Sequence, residues 1–130
     1  MAALSDYAED AVLNHLFRNT SMTSPTTVYL ALFSAGTGLE TNAPTSELSG
    51  SGYARAAITF GAPSSGAVQN SAQISIGAAT ADWSTVTHGA VMDASSAGNV
   101  LSHGQFTSPR DINNGETFIV EINGLTVSLD

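Results

Sequence analysis

The apolar residues of this chain change period once, at Pro25, and that change does most to restrict the fold. Before it, residues 5–18 carry apolar side chains at helical spacing. After it, every apolar stretch is short, β-rich in composition and bounded by clusters of Gly, Pro, Asn and Ser. One helix followed by about seven short strands at turn-marked intervals predicts a mainly β architecture, a β-sandwich or jelly-roll-like antiparallel domain behind one N-terminal α-helix. At 130 residues the chain fits one domain, expected to span 1–130, with the helix in 1–20 and the sandwich in 26–130.

Within the helical stretch, Ser5 or Asp6 can cap the start, and Asp6 with Glu9 three residues on makes an acidic version of the capping box. Acids at the positive end of the helix dipole and Arg18 near the negative end agree with that direction. Ala8, Val12 and Leu16 share a face, with Leu13 and Phe17 beside them. That broad stripe predicts a helix packed on, or exchanged onto, the β sandwich, with Leu16 at a buried site. The run from Asn19 to Pro25 ends it, because Ser, Thr and Pro favour turn and extended backbone.

Thr27 to Phe33 is apolar on both alternating faces, as a strand covered on both sides would be. Ser34 to Gly52 reads as a polar loop, and Tyr53 to Phe60 and Ala67 to Ile76 as the next two strands. Ser84 to Met92 and Val100 to Thr107 flank a turn and are expected to pair as a hairpin. Thr117 to Ile122 and Leu125 to Asp130, joined by Asn123-Gly124, form the strongest hairpin signal, since Asn and Gly tolerate the positive φ of a type I′ turn. No 20–50-residue repeat and no sustained heptad pattern is present.

Composition closes off whole classes of chemistry. Charged residues make up 11%, well under the roughly 25% of ordinary domains. Net charge is -8, and the only basic side chains beyond three His are Arg18, Arg55 and Arg110. A grip on nucleic-acid phosphates or anionic lipid needs a cluster of cations that these three cannot assemble, so neither nucleic acid nor membrane is an expected partner. With no Lys, Schiff-base chemistry and a P-loop lysine are excluded; with no Cys, so are disulfides and thiolate ligands. No basic n-region with an apolar core follows the first residue, and no apolar run nears a membrane span. The expectation is a soluble protein of the cytoplasm or of a particle assembled there.

Candidate sites reduce to a few constellations, each with a plainer alternative. His15 sits on the helix, while His88 and His103 fall on two arms of one hairpin with Asp93 near its turn. Zinc wants three or four converging ligands, so ordinary strand histidines are the simpler reading. Asp111-Ile112-Asn113-Asn114-Gly115-Glu116 resembles a fragment of a calcium loop but lacks the twelve-residue frame, and an Asn-Gly turn explains it as well. The Gly-rich stretches 49–52 and 61–66 lead into strands, not helices, and so do not cradle phosphate. No nucleophile elbow occurs. No catalytic, cofactor-binding or metal-binding residue is expected, and no enzymatic activity. Trp83 reads as a buried anchor or an interface hot spot.

Five blocks together resemble a family of short tailed-bacteriophage virion proteins often labelled tail-fibre-like: Leu4–Thr20, Thr26–Ala35, Gly50–Phe60, Ala79–Leu101 and Asn113–Asp130. They cover nearly the whole chain in order. Two departures stand out: relatives tend to have a short acidic turn where this chain has the longer, polar Gly36 to Leu48, and more aromatic residues where it has Gly-Ala-Val-Met after His88. The resemblance implies a virion structural part without catalytic residues. Too short for a reaching fibre, the chain is expected to be an accessory capsid protein, a cement or decoration protein contacting the major capsid protein. A tail-fibre or tail-tip subunit contacting tail proteins is the alternative. A remoter one is a carbohydrate-binding module using Tyr7, Tyr29, Tyr53 and Trp83. Scarce charge favours coverage by neighbouring subunits, hence a homo-oligomer; the resemblance makes it a trimer.

Overall fold

Val28–Phe33 offers an apolar side chain at every position, and the chain buries both of its faces. In the computed structural model, which describes residues 2–129, the order is β1 (Ala3–Leu4), α1 (Asp6–Phe17), β2 (Val28–Phe33), β3 (Ala56–Ile58), β4 (Ala67–Gln69), β5 (Ile74–Ile76), β6 (Val86–Met92), β7 (Val100–Arg110), β8 (Phe118–Val120) and β9 (Thr126–Ser128). Five strands form one antiparallel sheet in the order β1-β7-β6-β2-β3, and β4 pairs with β9 and β5 with β8 in two smaller antiparallel ladders. The architecture is mainly β with one N-terminal helix, as the change of period predicts.

The alternation of β2 divides the core in two. Leu30 and Leu32 join Ile58, Val86 and Val91 against Ile74, Ile76, Ile112 and Phe118, so the smaller ladders cover that face of the large sheet. Ala31 and Phe33 point the other way and meet Ala90, Met92, Val100 and Leu39. Leu39 comes from the segment expected to be a polar loop. That segment is a lid: Leu39 is 1% exposed, and Leu48, also buried, plugs the first core. Gly36 lets it lie close, since a Cβ there would come within 2.7 Å of the His88 ring.

Two strand expectations are corrected, both by Asn70. The stretch 67–76 breaks into β4 and β5, and the 117–130 hairpin does not form. A turn forms there, but one residue early and not as the expected type I′: Ile122 and Asn123 are central, Asn123 has φ 64, Gly124 does not take positive φ, and the Gly124 N–H bonds the Glu121 carbonyl at 2.9 Å. Its arms nevertheless diverge into different ladders. Asn70, fully buried, donates from Nδ2 to the Ala72 and Glu121 carbonyls and accepts from the Leu125 N–H, all at 2.9 Å. Its own carbonyl accepts from the Asn123 N–H. A buried amide must find such partners, and these four bonds stand between strands that would otherwise pair. The 84–107 hairpin does form, as β6 and β7.

Candidate interaction surface

The sequence around α1 fixes it firmly at its start. Ser5 is the N-cap: its Oγ accepts from the Ala8 N–H at 3.3 Å and its hydroxyl donates to the Val100 carbonyl. The Ser5 N–H bonds the Leu101 carbonyl and the Asp6 N–H the Glu40 carbonyl, so β7 and the lid both hold the first turn. At the other end Arg18 donates to the Asn14 side chain at 3.0 Å.

The helix buries less than its composition predicts. Ala8 is buried and Ala11 and Val12 are half-buried, but Leu13, Leu16 and Phe17 are 52%, 65% and 76% exposed. The expectation that Leu16 packs into the sandwich is therefore overturned. The reason is angular: at 100° per residue Leu13 lies about 140° around from Ala8, and one sheet edge cannot cover so wide a stripe. Beside the buried face runs an apolar groove of about 570 Å³ between α1, Pro25, Val68 and Val127. A second, of about 530 Å³, lies between Leu13 and Leu129.

The first half of the same outward face is acidic. Asp6, Glu9 and Glu40 bring carboxylate oxygens within 4.8 Å of one another, all exposed, and His103 Nε2 pairs with Glu40. Glu40 reaches this place only because the lid folds back onto β7, and nothing in the spacing of Glu40 and Asp6 foretells it. Exposed acids of this kind are common on a surface of net charge -8, and we assign them no ion.

The residues singled out from the sequence are scattered. His88 faces Gln105 and His103 faces Ala90, so the two histidines sit diagonally on the ladder; His88 Nδ1 is held by Thr87, His103 by Glu40. His15 accepts from the Met22 N–H. Asp93 closes the β6–β7 turn by accepting from the Asn99 N–H and side chain at 2.6 and 2.8 Å. In 111–116, Asp111 accepts from Thr85 and Glu116 from the Asn113 N–H, so the two carboxylates turn to different partners. Trp83 is an anchor, its Nε1–H donating to the Ser51 carbonyl at 2.8 Å and its ring meeting Tyr53 edge-on at 5.7 Å. Tyr29 lies on β2 and Tyr7 on α1, so the four aromatic side chains do not build one platform.

One polar knot was not legible beforehand. Arg55, with 5% of its side chain exposed, donates to both Glu47 oxygens and to the Ala94 and Ala97 carbonyls. Burial alone would raise the Glu47 pKa, but the bonds from Arg55 and Tyr53 outweigh it and hold the carboxyl below its ordinary range. Burial pushes the Tyr53 hydroxyl far above its usual value, so it stays neutral and donates to Glu47 at 2.8 Å. The knot ties β3, the lid and the β6–β7 turn together, well committed and without a free reactive group.

A small β protein whose residues are spent on internal bonds, and whose apolar helix face is left open, has the makings of a part that works by contact. In comparison with known families, the chain matches, over residues 3–128, the family described as Podophage GP4 fiber I protein gp80, and belongs to it. It is thus a structural protein of the short-tailed phage virion. Among individually curated proteins none matches it.

Proposed function

We propose that the protein is a non-enzymatic subunit of a tail fibre, or of the tail region that carries one, and acts through protein–protein contacts. The observation that carries the contact mechanism is the exposed run Leu13, Leu16 and Phe17 on a helix otherwise anchored at its capped end. Large apolar side chains clustered on a charge-poor surface mark a site that a partner covers. The family's description as a fibre protein favours the tail over a capsid cement role. Assembly in the host cytoplasm and a homo-oligomeric working unit, a trimer as the resemblance implies, belong to the same reading. Ile119 and Ile122, also exposed, offer apolar surface for self-contact. Separating heads from tails of disrupted particles and probing each with antibody tests it. Recovery with tails is the expected result, and recovery with heads alone would return the cement role to first place.

A further inference from the structure

The outward face of α1 has an order that narrows what can cover it. Asp6, Glu9, Leu13 and Leu16 are spaced three, four and three apart, the seam spacing by which one helix packs along another. The seam is split: its first half is acidic, with Asp10 alongside and Glu40 beside it, and its second half is apolar, with Phe17 alongside. The groove between Leu13 and Leu129 runs along the same flank and gives a second helix a seat.

A second copy of this chain does not fit that seam. Laid parallel, two copies would set Asp6 and Glu9 against their own counterparts. Laid antiparallel in full overlap, they would press those carboxylates onto Leu16 and Leu13, removing charge from water without a partner. Nor can the chain assemble a basic stripe to meet those acids. It has no Lys, Arg55 is consumed by Glu47 and two carbonyls, and Arg110 lies over the Phe118 ring at 5.2 Å. Arg18, bonded to Asn14, is about 180° around the helix from Glu9.

We infer that the α1 face docks against an amphipathic helix of a different virion polypeptide, basic opposite Asp6, Glu9 and Asp10 and apolar opposite Leu13, Leu16 and Phe17. Apolar burial supplies the hold, while the charges set direction and register. The inference rests on the reading of this chain as a contact-forming virion part and names the partner of that same surface.

The missing lysines make a clean test available. A carbodiimide joins a carboxylate directly to a lysine amine, so in intact virions the side chains of this protein cannot be linked to a lysine of another copy. Links from Asp6, Glu9 or Asp10 to lysines of one other virion protein are expected. A second arm complements a phage lacking the gene with Leu16→Asp, with Glu9→Lys/Asp10→Lys, or with Ser108→Asp as an exposed control. The first two should enter particles at least tenfold less well, the control normally, with circular dichroism unchanged in all three. Full incorporation of both α1 variants would overturn the inference, as would links confined to acids away from α1. So would a homo-oligomer that Leu16→Asp alone converts to monomer, which would show that a second copy covers the helix. Tail-located protein with an indifferent α1 face would sink this inference and leave the tail reading standing; protein absent from the particle would sink that reading too.

Discussion

Arg55 and Glu47 meet through two parallel hydrogen bonds, Nε to Oε1 at 2.7 Å and the second guanidinium nitrogen to Oε2 at 2.8 Å. The remaining nitrogen reaches the Ala94 and Ala97 carbonyls, so one side chain clamps the lid to the β6–β7 turn. Removing one member of a buried pair strands the other and costs more than the pair contributes. Arg55→Leu should therefore destabilise the fold by about 3 kcal/mol, toward the low side because Glu47 is partly exposed, as read by urea denaturation. A loss below about 1 kcal/mol would show the clamp to be incidental.

The same pair predicts an acid limb. Glu47 titrates lower in the folded chain than its ordinary 4.5, so the unfolded chain takes up its proton first as pH falls. The stabilisation is fully present above pH 4.5 and is lost as pH drops through the folded value. Glu47→Gln should flatten the fall of melting temperature below pH 4.5, measured against the parent.

Leu39 and Leu16 should answer a truncation in opposite ways. Leu39→Ala opens a cavity in the second core and should cost about 2–5 kcal/mol. Leu16→Ala, on an exposed site, should cost under about 0.5 kcal/mol in the isolated chain. Equal losses in the two variants would mean that the helix lies deeper than described.

That contrast also marks how far the sequence could be read. The α1 span was legible within a residue at each end because Ser5, Asp6 and Glu9 make a local signal. The β6–β7 hairpin was legible because the turn-forming run Asp93 to Asn99 separates two consecutive β-rich stretches. Leu39 was not, since a single apolar residue in a polar stretch has no period, and only the fold shows that it has a core to enter. Asn70 was not legible either: a buried amide that splays two strands looks in sequence like any turn residue. The apolar helix face was visible as composition, but which third of it meets the sheet depends on where β7 lies. The exposed remainder became the candidate site.

Ser5 joins two elements through one hydroxyl, capping α1 and bonding β7. Ser5→Ala should cost about 1–2 kcal/mol and loosen the helix, as read by faster amide exchange in residues 6–11 than in β2. Unchanged exchange there would show that the backbone bonds to β7 and the lid hold the first turn without the hydroxyl.

Self-association should owe little to ion pairs, because Arg55 is internal and Arg18 and Arg110 are the other two arginines. Light scattering should give one homo-oligomer, a trimer, in both low and molar salt, where screening acts within about 3 Å. A monomer at high micromolar concentration in both would defeat self-association, and a trimer that falls apart in salt would refute its apolar cause.

The central claim is that this chain is a contact-forming part of the phage tail. Immunogold labelling of intact particles with antibody to the protein tests it most directly. Gold confined to the tail and its fibres is the predicted result, and gold spread over the head surface would contradict it.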